Sequence, residues 1–123
     1  MARGANQKLK LLYLAKILQE QTDDTHGLTM PEIIRELNRY DIEADRKCLY
    51  DDIYQLGRFG MDVYHVKVGQ RTYYHMGSRD FELAELRMII DAICSSKFIT
   101  ARISKELIEK LEKNLSNYDA KLM

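Results

Sequence analysis

The feature that most limits what this chain can fold into is a change of hydrophobic period at Gly60. Up to Phe59 the apolar residues recur at helical spacing, and from Val63 onward they alternate. A period near 3.6 marks an amphipathic helix and a period of 2 a half-buried strand, so helices give way to strands there. Val63, His65 and Lys67 alternate with Tyr64, Val66 and Val68, and a second strand is expected from Arg71 to Met76. Gly69-Gln70 suits a two-residue hairpin turn, and a three-residue loop that includes Val68 also fits. The two choices change the register, so the faces of His65 and His75 stay open at this point.

Three helices are predicted ahead of the switch. The first runs from Gln7 to Gln21, with Leu11, Leu14, Ile17 and Leu18 as its apolar stripe and Lys8, Lys10 and Lys16 outside it. The polar stretch TDDTHG, punctuated by Gly27, breaks it. Thr29-Met30-Pro31-Glu32 then carries a start signal: Thr29 caps, Glu32 completes a capping box, and Pro31 suits the first turn. Ile33, Ile34 and Leu37 supply the buried side of this second helix as far as Tyr40. After a turn from Asp41 to Ala44, Asp45 caps a third helix to about Phe59. Its core side is Leu49, Ile53 and Leu56, and Gly57 and Gly60 mark its end. Two helices joined by a short turn and followed by a hairpin make a winged helix-turn-helix over residues 1–78.

Gly77-Ser78-Arg79 reads as a boundary, and residues 79–123 as a helical extension. Asp80 is expected to cap a fourth helix with Leu83, Leu86, Ile90 and Ile93 on one side. SSKFIT separates it from a fifth helix ending near Asn117, striped by Ile103, Leu107, Leu111 and Leu115. Glu106–Lys110 and Glu109–Lys113 are favourable pairs four apart. The predicted fold class is mainly α with a small antiparallel β-hairpin, a winged helix-turn-helix plus a C-terminal helical hairpin. These last two helices show more apolar stripe than one small winged helix covers, which points to a homodimer formed through them.

Several function classes drop out. No apolar run approaches the roughly 20 residues that span a bilayer, and the N-terminus lacks a signal peptide's apolar stretch, so a cytoplasmic protein without membrane contact is expected. Cys48 and Cys94 lie far apart without metal-ligand spacing and read as small, semi-buried fillers. His26, His65 and His75 have no ligand spacing either, so neither metal nor cofactor is expected. Asp23-Asp24 reads as loop solvation and Asp52 as a structural acceptor. With no nucleophile elbow, phosphate-binding glycine loop or metal signature, the chain does not read as an enzyme.

The third helix carries the candidate site. Opposite its core side it presents Lys47, Tyr54 and Arg58, flanked by Tyr50 and Asp51. In a helix-turn-helix the N-terminal half of this helix enters the major groove, where Arg46 and Lys47 reach guanine edges or phosphates. Tyr50 offers a hydroxyl to a phosphate or a ring to a thymine methyl. Lys67 and Arg71 flank the hairpin tip, where cations either neutralise phosphates or simply keep an edge strand soluble. Arg3, Lys8 and Lys10 form a basic arm or, on the preferred reading, a frayed end. Lys and Arg number 19 and Asp and Glu 19, so the net charge is zero and any DNA-binding face must come from local placement.

Three stretches together resemble a known family: MPEIIRELNRYDIEADRKCLYDDIYQLGRFGMDV, the hairpin ending RTYYHM, and SRDFELAELRMIIDAICSSKFITARISKELIEKL. They are similar, in this order, to the N-terminal part of bacterial WYL-domain transcriptional regulators. The resemblance implies a winged helix that binds double-stranded DNA, a helical linker, and a ligand-sensing domain carrying a Trp-Tyr-Leu motif. The chain has no Trp, so that sensor is expected to be absent from it, by truncation or as a natural short form. One residue departs from the family: its recognition helix often reads Arg-Asp after the Tyr, where this chain has Tyr50-Asp51-Asp52. The expected function is the DNA-binding module of a bacterial transcriptional regulator, with residues 45–59 in the major groove and a wing at 62–76. The alternative is a winged-helix interaction or dimerisation module that has lost DNA binding. Clustering of Arg46, Lys47, Lys67 and Arg71 on one face favours the first reading and scattering the second.

Overall fold

A computed structural model of the chain describes residues 7–77 and 81–122. The chain divides into two compact units, Met1–Gly77 and Ser78–Met123. In the first, a 3-10 turn at Gln7–Leu9 leads into α1 (Lys10–Gln21), followed by α2 (Met30–Asn38) and α3 (Arg46–Phe59). The hairpin strands β1 (Val63–Val68) and β2 (Arg71–Met76) complete it.

The start signals act as the residue types demand. The Glu32 N–H donates to Thr29 Oγ1 at 3.4 Å, and the Glu32 carboxylate accepts from the Thr29 N–H at 2.8 Å. The bond from the Thr29 backbone is the main reason the Glu32 carboxyl lies below its usual range. At α3 the Asp45 carboxylate accepts from the Cys48 N–H at 2.8 Å, which likewise lowers the Asp45 carboxyl. Gly60 ends α3 with φ 123°, a conformation that L side chains rarely adopt. Gly57 lies inside α3 and does not mark its end.

Val68 pairs with Arg71, so the hairpin turn is the two-residue Gly69-Gln70, with Gly69 at φ 65°. That register settles both histidines. Tyr74 and Met76 point into the core, His65 is exposed, and His75 is buried on the opposite face. His75 Nδ1 lies 2.7 Å from the Asp23 carbonyl oxygen, the place for a ring N–H that donates, and the ring stacks on Tyr64 at 5.2 Å. Leu28 bridges Tyr74 from the other side of β2, with backbone bonds of 3.0 and 2.7 Å. Gly27 is required beside it, because a Cβ there would sit 2.6 Å from His75 Nε2. Thr22 Oγ1 donates to the Leu18 carbonyl at 2.6 Å and accepts from the Met76 N–H at 2.9 Å, tying the wing root to the end of α1.

The core joins Leu14, Ile17 and Leu18 of α1 to Met30, Ile33 and Leu37 of α2, with Ile42, Leu49, Leu56, Tyr74 and Met76 closing it. Two expectations for α1 change. Leu11 is exposed at the edge of the helix and not in the stripe. Lys10 is buried: its ammonium meets Asp52 of α3 at 2.9 Å, so the stem lies over apolar neighbours and the charge is paired. Ile34 and Ile53 are half-buried. Cys48 and Cys94 are both exposed and do not fill the interior. Cys48 directly precedes the buried Leu49, a step of about 100° around a helix that carries it to the solvent side.

The second unit holds α4 (Leu83–Ser95), α5 (Ala101–Glu112) and a short α6 (Asn117–Ala120). The expected cap Asp80 lies outside the described residues. At the start of α4 the Glu85 carboxylate accepts from the Glu82 N–H at 2.9 Å. Thr100 caps α5 through the Ile103 N–H at 3.3 Å. That helix ends at Glu112, not near Asn117, because the N–H groups of Asn114 and Leu115 bond back to the Leu111 and Glu112 carbonyls. Ser116 then opens α6 by accepting from the Asp119 N–H at 3.2 Å. Leu86 and Leu115 are buried, whereas α5 buries none of its residues and its stripe members Ile103 and Leu107 are exposed. Among the described residues no helix is long and apolar enough to cross a membrane. The fold is a winged helix-turn-helix with a helical hairpin after it in the chain, mainly α with one small antiparallel hairpin.

Candidate nucleic-acid interface

One side of α3 is held by the burial of Leu49 and Leu56 and by the Lys10–Asp52 ion pair. Asp52 Oδ2 receives no well-directed hydrogen bond among the described residues, so the contact is Coulombic, between side chains only 10% and 14% exposed. With that side fixed, the opposite side must face water. Lys47, Asp51, Tyr54 and Arg58 are exposed there, and Arg46 and Tyr50 are exposed at its flank, Tyr50 by 49% and Tyr54 by 63%. Among the described residues, Arg46, Lys47, Arg58, Lys67 and Arg71 hold no ion pair with a carboxylate. The charges of Arg46, Lys47, Arg58 and Lys67 are therefore available to an outside partner, while Arg71 interacts electrostatically with Glu32.

The structure gathers only part of the predicted set. Arg46 and Tyr50 of α3 and Arg71 of β2 line one cleft of about 480 Å³, which the start of α2 closes with Thr29, Glu32 and Arg35. Arg35 did not figure among the predicted site residues. Its signal in the sequence was weak, since it stands one turn beyond Glu32 on the solvent side of α2, where a charge usually serves solubility. Lys67 pairs across the hairpin with Thr72, which lines the cleft, but does not itself line it. Lys47, Tyr54 and Arg58 belong to the outward side of α3 and not to the cleft. Of Arg46, Lys47, Lys67 and Arg71, Arg46 and Arg71 share the cleft and Lys47 and Lys67 do not line it.

The cleft is electrostatically mixed. Besides its bonds to Thr29, the Glu32 carboxylate is lowered by Arg35 and Arg71, so it offsets part of their charge. Burial pushes the Tyr74 phenol up, Tyr50 adds to the shift, and Arg46 opposes it, which places all three within electrostatic reach. Chemically the arrangement offers the guanidinium forks of Arg35, Arg46 and Arg71 and the phenol of Tyr50 to anions or base edges, with Arg35 partly engaged by Glu32 at 3.9 Å. It offers nothing to a metal: among the described residues no group of three or more His, Cys, Asp or Glu could hold one. Lys10 is unavailable to a basic arm because Asp52 holds it, Lys8 is exposed, and Arg3 lies outside the described residues. The chain matches no family model, no curated protein and no solved structure.

Proposed function

We propose that the winged helix is the DNA-binding module of a cytoplasmic bacterial transcriptional regulator of the WYL-domain kind. The observation that carries this reading is the solvent-exposed surface of α3, where Arg46 and Tyr50 toward the cleft and Lys47, Tyr54 and Arg58 outward stand exposed and the three cations have no carboxylate ion pair among the described residues. On this reading α3 enters the major groove, Arg46 and Lys47 supply its N-terminal contacts, and Arg71 and Lys67 neutralise backbone phosphates. A net charge of zero makes non-specific binding weak.

Asp51 favours a second reading, a protein-docking module, because it puts a carboxylate on the same exposed side of α3. Fluorescence anisotropy of the full chain with duplex pools at low salt separates the two. Binding is expected, falling with salt. Lys47→Ala should weaken it and flatten the log–log salt slope by about 0.9, one phosphate contact. Arg102→Ala on α5 should leave both unchanged. No binding to any duplex pool favours docking.

A further inference from the structure

Three guanidinium groups, those of Arg35, Arg46 and Arg71, line the cleft between α2, α3 and the hairpin. The one carboxylate that lines it among the described residues, Glu32, is held by the start of its own helix. Its Oε1 accepts from the Thr29 N–H at 2.8 Å and from Thr29 Oγ1 at 2.9 Å, and its Oε2 lies 3.9 Å from Arg35. The groups lining the cleft therefore keep a surplus of two positive charges. A backbone phosphodiester carries one negative charge, whereas a phosphate monoester approaches two at neutral pH because its second ionisation lies near about 6. At about 480 Å³ the cleft also has the size that takes a small organic ligand, not a bare ion. Beside the guanidiniums stand the exposed ring of Tyr50 and the Gln70 amide.

We propose that this cleft binds a free nucleoside 5′-monophosphate. The dianionic phosphate matches the surplus charge and is held by the forks of Arg46 and Arg71, with Arg35 on the third side. The base lies on the Tyr50 ring, a contact that any base can make, and Gln70 offers both a donor and an acceptor to its edge. A phosphodiester would leave one positive charge of the cleft unmatched, which separates this ligand from the backbone phosphates that the wing would meet on DNA. Arg46 and Arg71 cannot serve both at once, so a bound nucleotide withdraws them from a duplex. That regulatory consequence rests on the DNA-binding reading, whereas the nucleotide site itself does not.

Equilibrium dialysis of the full chain against adenosine 5′-monophosphate at about pH 8, where the monoester is a dianion, tests the site. Binding is expected, and adenosine 3′,5′-cyclic monophosphate, a singly charged diester, should bind at least about tenfold more weakly. Arg46→Gln and Arg71→Gln should each weaken the monophosphate roughly tenfold, and Arg102→Gln on α5 should leave it unchanged. Tyr50→Leu should weaken it about tenfold without altering the weaker binding of inorganic phosphate. Glu32→Gln raises the positive surplus yet suits the capping box, which takes Glu or Gln, so binding should tighten about threefold. Circular dichroism is expected to show each variant as helical as the parent; if Glu32→Gln unfolds α2, the arginine variants decide. No binding of the monophosphate, a cyclic nucleotide bound as tightly, Arg46, Arg71 or Tyr50 variants that bind like the parent, or a folded Glu32→Gln no tighter than the parent each overturns the proposal. So does a duplex that binds more tightly with 5′-phosphates than without them, since the cleft would then belong to strand ends. A chain that binds duplex but no nucleotide loses this site alone, and one that binds nucleotide but no duplex loses only the DNA-binding reading.

Discussion

The two units use the same ingredient, amphipathic helices, with opposite results. In α1 and α2 the apolar stripes meet each other, α3 and the hairpin, and Leu14, Ile17, Leu18, Ile33 and Leu37 lose all contact with water. In α5 the stripe is as regular, yet Ile103 and Leu107 remain exposed. The difference lies in what covers the stripe. Three helices and a hairpin enclose a volume, whereas two helices side by side share one seam and leave their outer surfaces wet. Periodicity shows that a helix has an apolar side. It does not show that anything covers it.

That contrast can be broken most directly by truncating one leucine in each unit. Leu37→Ala removes a fully buried side chain and should cost about 3 kcal/mol, while Leu107→Ala, 36% exposed in the parent, should cost less than about 1 kcal/mol. Denaturant unfolding checks both. Equal losses would mean that the second unit has a closed core of its own.

The ion pairs give a second, smaller contrast. Asp52→Asn leaves the Lys10 ammonium without its counter-charge in a nearly dry place. It should destabilise by about 2 kcal/mol, less than a fully buried pair because some solvent reaches both groups. Glu36→Gln removes the partner of Arg39, which is 72% exposed, and should change stability by less than about 0.5 kcal/mol. Comparable losses from the two variants would show that Lys10 is better solvated than its burial indicates.

The smallest effect is one of pH. The Tyr64 hydroxyl donates to Asp24 at 2.6 Å, and this bond, with burial and the nearby carboxylates, pushes its pKa up to about 12. A phenol in the unfolded chain titrates near 10. The folded value is the higher one, so the stability from this contact is complete below about pH 10 and lost as the pH rises through about 12. Phenolate absorbance should therefore show Tyr64 and Tyr74 ionising later than the other tyrosines, and Asp24→Asn should bring Tyr64 back toward the rest. A Tyr64 that ionises with the others would sever the link between the wing and the 22–28 loop that the hydrogen bond supplies.

Much of the first unit was legible in the chain because its signals are local. Thr29, Pro31, Glu32 and Asp45 act within one helical turn of themselves. The Gly60 switch of period needs only the neighbouring residues to be read. The exposed side of α3 followed in the same way, since burying Leu49 and Leu56 fixes by helical geometry where Lys47, Tyr54 and Arg58 point.

Contacts between distant segments were not legible, and they decided the rest. Lys10 looks like a surface lysine until Asp52, far along the chain, comes within 2.9 Å of it. His65 and His75 could be told apart only by the Val68–Arg71 pairing, because a slip of one residue exchanges the two faces of a strand. Arg35 reaches the cleft through the packing of α2 against the wing, a contact that its neighbours in sequence do not announce. Local rules act through backbone dihedrals and one turn of hydrogen bonds, so the sequence by itself determined the elements and their caps. Burial, pairing and the cleft depend on which surfaces meet, and only the tertiary structure decided them.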